Sequence, residues 1–228
     1  MFHVERFGLA PEATAAIERL LDLLEHDDTA PTTVRRRSEA VDVHVADSLS
    51  GLELAPVLDA RRIADLGAGA GFPGLVLAAA LPHARVALVE SVARKCAWLE
   101  RAIAAMGIAN AEVVKARAEA WPAGTAAHDL VTARALASLN VVAEYAAPLL
   151  AEGGRLVAWK GRRDPTEEAD GAFAAAQLGL EVEEVRRVQP FASARDRHLY
   201  LYLKVGPTPN DYPRRPGMAS KRPLRPST

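Results

Sequence analysis

The amino-acid sequence predicts an α/β protein: a parallel sheet covered by helices on both faces, with an antiparallel last strand and an N-terminal helical extension. Three observations lead there. From residue 62 onward, short apolar runs alternate with longer amphipathic stretches, the pattern of strands buried on both faces. A glycine-rich turn, Asp65-Leu-Gly-Ala-Gly-Ala-Gly-Phe-Pro-Gly74, joins the first run to the helix after it. Near the end, Leu180–Val188 and His198–Val205 both alternate with period two, and no helix fits between them.

The elements follow in order. Ile17, Leu20, Leu21 and Leu24 recur at helical spacing and predict a helix over 11–26, broken by Asp27–Pro31. A second helix is expected over 34–50, opened by Arg35–Arg37 and carrying Val41, Val45, Ala46 and Leu49 on one side. Strands are expected at 62–66, 85–89, 111–115, 128–132 and 154–159, with helices at 72–81, 91–107 and 138–150 and right-handed crossovers. Pro73 suits the first helical turn, where its missing N–H costs nothing. A helix at 166–178 precedes the antiparallel pair. After Gly206 the chain is rich in proline and arginine: Arg214, Arg215, Lys221, Arg222 and Arg225 are opposed only by Asp211, which predicts a mobile basic tail. The expected organisation is a helical extension over 1–55, the α/β domain over 56–206 and the tail over 207–228.

Composition narrows the class. The 228 residues carry a net charge of −1, and half of them are hydrophobic, as in ordinary globular proteins. Cys96 is the only cysteine, so neither a disulfide framework nor a cysteine-rich metal site is expected, and it reads as a packing residue in a reduced, cytoplasmic setting. The stretch from Met1 to Arg6 has no apolar core behind it and does not read as a secretory signal. No apolar run approaches the roughly 20 residues of a membrane span.

The glycine turn carries the chemistry. It lets a ligand approach the backbone and presents the N–H groups of a helix start. Gly69-x-Gly71-x-x-Gly74 matches the dinucleotide fingerprint literally, but Gly67 comes first after the strand and Asp65 stands just before it. That register fits S-adenosylmethionine (SAM), which has no pyrophosphate to fill a dinucleotide loop. Glu90, at the end of the second strand, is placed to hold ribose hydroxyls. The antiparallel ending also belongs with class I methyltransferases more than with nicotinamide-binding Rossmann domains. A purely structural glycine turn, or an NAD or FAD site, remains the alternative.

Beyond the turn, Glu90-Ser91 with Arg94-Lys95, Arg117-Ala-Glu119, Thr132-Ala-Arg-Ala135 followed by Ser138-Leu139, and Lys160-Gly161 occur in succession. Over about residues 44 to 205 the chain resembles the RsmG (GidB) family of bacterial 16S ribosomal RNA guanine-N7 methyltransferases. The resemblance implies a Rossmann-like, class I SAM-dependent methyltransferase sheet with an N-terminal helical part. It places Gly67, Gly69, Gly71 and Phe72 along the methionine part of SAM, with Ala118 and Glu119 beside the adenine. It makes Arg134 a cofactor-contacting residue, and a guanidinium at that strand end suits either a carboxylate or an RNA phosphate. His44, Asp47 and Ser48, at i, i+3 and i+4, match a family segment on one helix face, with the departure that Val43 stands where the family carries arginine. These three and Lys160 are the substrate-side candidates. Each has a plainer reading: a surface ion pair for Arg117 and Glu119, a structural salt bridge for Arg134, strand-end solvation for Lys160.

Guanine N7 carries an in-plane lone pair at neutral pH, so the expected reaction is an in-line displacement that needs no general base, driven by positioning. The partner is then 16S rRNA or the small ribosomal subunit, held through Arg35–Arg37, Lys160, Arg162, Arg163, Arg186, Arg187, Arg195, Arg197 and the tail, with the chain acting as a monomer. Two other functions fit the same motifs: a methyltransferase for a small molecule or protein, and a non-catalytic SAM- or RNA-binding accessory protein.

Overall fold

A computed structural model describes residues 5–226. Residues 1–4 and 227–228, the ends of the expected extension and tail and the start of the stretch read as lacking a signal, lie outside the described residues.

The extension opens with helix α1 (Pro11–His26), whose Ala13, Ile17, Leu20, Leu21 and Leu24 form one buried stripe. Asp27 ends it by accepting bonds from the Thr29 amide and hydroxyl. The single helix expected over 34–50 is instead wound in pieces. Helix α2 (Arg37–Ala40) passes into a π-helical turn, Val41–Ala46, then α3 (Asp47–Leu49) and a 3₁₀ turn, Ser50–Glu53. In the π turn the Asp47 amide reaches back five residues to the Asp42 carbonyl, and such turns concentrate at functional sites. Helix α4 (Ala55–Asp59) leads into the sheet.

The alternating part reads β1 (Arg62–Leu66), α5 (Gly74–Ala80), β2 (Arg85–Glu90), α6 (Ala93–Met106), β3 (Ala111–Lys115), β4 (His128–Arg134), α7 (Leu139–Ala146), β5 (Leu150–Lys160), α8 (Pro165–Gln177), β6 (Leu180–Val188) and β7 (Arg197–Lys204). Strand order is β3-β2-β1-β4-β5-β7-β6. The first five strands are parallel, and β7 runs antiparallel to both β5 and β6. The expected strands are all present; β5 starts earlier than 154, and α7 ends at Ala146 before a 3₁₀ turn.

Side chains alternate across the sheet and build two cores. Ile63, Leu88, Leu130, Val157 and Leu199 face α1, α5 and α6, whereas Ala64, Val89, Val131, Leu156 and Tyr200 face α7 and α8. The extension therefore covers the first face as a layer of the same core. Sequence order runs outward from β1 on one side and from β4 on the other, which opens a crevice at their carboxyl ends.

Residues 207–226 pack against the domain instead of hanging free as their composition predicts. Arg214 pairs with Glu144 of α7, Asn140 donates to the Leu224 carbonyl at 2.8 Å, and a short helix, α9 (Met218–Lys221), buries Ala219. The reason is the buried Glu144 carboxylate, which an apolar helix–sheet interface tolerates only when paired.

Close packing at the β1–α5 turn is testable. A methyl added at Gly74 would lie 2.4 Å from Leu88 Cδ2 and 2.7 Å from Asp65 Oδ2. Gly74→Ala is expected to destabilise the fold by roughly 1–3 kcal/mol, read as a lower urea midpoint with an unchanged slope. A midpoint equal to the parent's would show that the turn has slack.

Candidate functional site

The glycine turn is held from three sides. Gly67 and Ala68 donate to the Val89 carbonyl at 2.9 and 3.2 Å, which keeps the turn beside β2. Gly67 and Gly69 have φ of 66° and 55°, left-handed values that suit glycine. Beneath the turn, Asp65 is fully buried; Oδ2 accepts from the Gly74 amide at 3.0 Å and Oδ1 from the Thr132 hydroxyl at 2.8 Å. Burial pushes its carboxyl up to about 6, against the pull of those two bonds. On the far side Glu90 ends β2. Its Oε2 accepts from the Gly69 amide at 3.2 Å and its Oε1 from the Val92 amide at 2.8 Å, with the Lys95 ammonium 3.9 Å away.

These residues border a cleft of about 330 Å³ at the carboxyl ends of β1, β2 and β4. Gly67, Glu90, Ala118, Glu119, Leu136 and Tyr145 line it. Ala118 and Glu119 stand on a 3₁₀ turn, Ala118–Ala120, after β3. Larger grooves exist, one of about 840 Å³ between α1, α5 and α6, but it lies at the amino end of β2, away from the crevice where open α/β sheets bind ligands.

A second cluster sits beside the turn and joins it to the extension. The His44 ring stacks on Phe72, with centroids 4.4 Å apart and planes 11° from parallel, and the Arg134 guanidinium lies 5.5 Å from the Phe72 ring centre. Arg134 donates to Asp47 Oδ2 at 2.8 Å, to the Val43 carbonyl at 3.1 Å and to His44 Nδ1 at 3.2 Å. Arginine can only donate, so His44 Nδ1 is an acceptor and the ring proton sits on Nε2. That nitrogen faces the Val34 carbonyl at 3.2 Å and the Thr32 hydroxyl at 3.1 Å. Burial first, and the Arg134 cation second, hold His44 down at about 4. The imidazole is neutral at pH 7, and both nitrogens are engaged. Asp47 Oδ1 is buried without a hydrogen bond among the described residues, 3.5 Å from Arg197 Nε.

The candidates named from sequence thus divide. Gly67, Glu90, Ala118 and Glu119 line one cleft, and Gly69 is tied to it through Glu90, whereas Gly71 and Phe72 are buried in the turn and do not line it, Phe72 stacking on His44. Arg134, expected to face a cofactor carboxylate or a phosphate, has its guanidinium engaged with His44, Val43 and Asp47, the salt-bridge alternative. Ser48 is turned away: its hydroxyl donates to the His44 carbonyl. Lys160 donates to Glu167 and to the Ala137 carbonyl, so it is paired and not simply solvated. Of the cations expected to contact RNA, Arg35, Arg37, Arg163, Arg186 and Arg197 are also paired with carboxylates. Sequence reasoning gave Thr132 only as part of a motif and Arg197 only as one of the cations for RNA, and it did not name Tyr145. The partner of Thr132 lies 67 positions away, and Arg197 reads as one strand-end cation among several.

Comparison with known proteins bears on the family and the fold. Residues 15–200 match the family model GidB, described as rRNA small subunit methyltransferase G. The chain is 44% identical over 189 residues to ribosomal RNA small subunit methyltransferase G of Rubrobacter xylanophilus, covering 80% of this chain and 72% of that one. It is 40% identical over 197 residues to the protein of the same name from Pelotomaculum thermopropionicum, covering 85% and 82%. Among solved structures, the ribosomal protein L11 methylase from Lactobacillus delbrueckii subsp. bulgaricus superposes with a TM-score of 0.53 at 20% identity, over 70% of this chain and 77% of that one, which supports the fold.

The neutral state of His44 has a measurable sign. Its folded value lies below the ordinary 6.5, so the folded state binds fewer protons than the unfolded one between about 4 and 6.5. The stability it contributes is complete above 6.5 and is lost as pH falls towards 4. By NMR, the His44 ring is expected to stay unprotonated from pH 8 down to about 5.5; a midpoint near that of an exposed histidine would contradict the buried network.

Proposed function

The chain belongs to the GidB family, rRNA small subunit methyltransferase G, and from that premise we propose that it transfers the methyl group of SAM to N7 of a guanine in 16S rRNA. The observation that carries this reading is the crevice itself: a glycine turn pinned to a buried acidic strand end, next to an aromatic–cation stack.

The residues present fit SAM. Gly67 and Gly69 adopt left-handed turn conformations; a Cβ at Gly69 would meet only the Gly67 carbonyl, at 3.6 Å, and one at Gly67 would meet the Leu136 side chain of the cleft, at 2.6 Å. The cleft volume falls in the roughly 300–1,000 Å³ range of small-molecule sites. Gly67, Gly69, Gly71 and Phe72 would flank the methionine part, and Glu90, each of whose oxygens accepts one backbone bond, retains lone pairs for ribose hydroxyls. Ala118 and Glu119 would border the adenine.

Bound SAM supplies a sulfonium methyl that an in-plane N7 lone pair takes in line, the C–S electron pair returning to sulfur. No proton has to leave first, and the chain's residues match that demand. His44, neutral with both nitrogens engaged, orients Arg134 and braces Phe72 and does not shuttle protons. Catalysis then comes from holding base and methyl in line, a source of roughly 7–11 kcal/mol.

Arg36, Arg162, Arg187 and Arg195, with Arg215, Lys221, Arg222 and Arg225 of the tail, are exposed and have no carboxylate within 4.0 Å among the described residues. They are the cations left for RNA phosphates. We place the chain in the cytoplasm as a monomer; no helix among the described residues is long and apolar enough to cross a membrane.

The test is transfer from labelled SAM to small ribosomal subunits that lack the modification, followed by mapping of N7-methylguanine. Label in 16S rRNA is expected. Label only in another molecule, or SAM binding without transfer, would overturn the assignment. In calorimetry, Glu90→Gln is expected to raise the SAM dissociation constant by about ten-fold or more while the melting temperature shifts by only a few degrees.

A further inference from the structure

Residues 207–226 lie beyond the stretch matched by the family model, yet they reach the wall of the cleft. Arg214 grips Glu144 with both ends of its guanidinium, Nε to Oε1 at 2.8 Å and NH2 to Oε2 at 2.5 Å, and its backbone amide adds a bond at 3.4 Å. Glu144 is only 1% exposed and sits on α7 next to Tyr145, a cleft residue. Three residues after Arg214, the Gly217 amide donates to Glu119 Oε1 at 3.0 Å. Gly217 has a φ of 82°, a left-handed turn that brings the chain back over α7. Ser220 then meets the Tyr145 hydroxyl at 3.1 Å, and Leu224 closes the path through Asn140. Two residues of the cleft, Glu119 and Tyr145, are thus held from outside by the same segment.

We propose that residues 207–226 form a strap that completes the adenine end of the cofactor cleft, and that Arg214 is the positioning residue that anchors it. The inference rests on the placement of Ala118 and Glu119 beside the adenine. A carboxylate accepts and never donates. With Oε1 committed to Gly217, Oε2 makes no hydrogen bond among the described residues and remains for a donor such as the exocyclic amine of adenine. Without the strap, Glu119 loses the bond that fixes its rotamer, and the cleft loses the support behind Tyr145.

The test uses the full chain. Arg214→Ala is expected to raise the SAM dissociation constant, and KM for SAM, by about ten-fold, with kcat at saturating SAM within about two-fold of the parent. Arg214→Lys, which keeps the charge but not the two-pronged grip, should recover part of the loss. Hydrogen exchange on the unaltered chain provides a second reading: adding SAM should slow exchange at Gly217–Ser220. Unchanged SAM affinity in Arg214→Ala, or strap amides indifferent to SAM, would overturn the proposal. Glu119→Ala separates the two levels. If it leaves SAM affinity unaltered, the placement of adenine beside Glu119 fails; if it weakens SAM while Arg214→Ala does not, the strap alone fails.

Discussion

The buried carboxylate of Asp65 ties together the parts on which the crevice depends. One oxygen holds the first amide of α5 and the other holds the hydroxyl of β4, so the two halves of the sheet and the helix after the glycine turn share one anchor. The carboxyl stays at about 6 only because those donors partly offset its burial. Gly74 can have no side chain because this anchor already occupies the space. Everything above it, including the course of Gly67 to Gly71 and the approach of Glu90, is built on that fixed floor.

The helical extension is bound to the same floor from the other direction. Arg134, two residues beyond Thr132 on β4, reaches back to the π turn of the extension and takes up Asp47, Val43 and His44 together. His44 in turn stacks on Phe72 of the glycine turn. The extension, the turn and β4 therefore form a closed ring of contacts. The stack of His44 on Phe72 thus fixes the extension against the glycine turn.

Most of the fold was legible because it obeys local periodicity. Strands such as Val86–Val89 and Leu199–Tyr202 alternate between two cores, and α1 carries one apolar stripe. The glycine turn and Glu90 were legible for the same reason: each is defined by its place just after a strand. The partners of Arg134 were not, since Asp47 lies 87 positions away and nothing local distinguishes a cation that meets a ligand from one that meets a carboxylate. The helix over 34–50 was misread in form because a π turn uses the same residues as an ordinary helix. The tail was misread for a related reason. Its prolines and arginines have the composition of a solvated segment, and only the buried Glu144, hidden in what reads as an ordinary helix, requires it to dock.

The placement of β7 between β5 and β6 leaves β6 as one rim of the sheet and β3 as the other. Both rims are studded with charge: Glu181, Glu183, Glu184, Arg186 and Arg187 on β6, Glu112 and Lys115 on β3. A rim with unpaired backbone groups is a template on which a second molecule can add a strand. Charges on such a rim would have to be stripped of water if two copies met edge to edge. The antiparallel ending thus bears on hydration as well as topology: it ends the sheet on a strand whose charged side chains would have to give up water before another strand could be added to it.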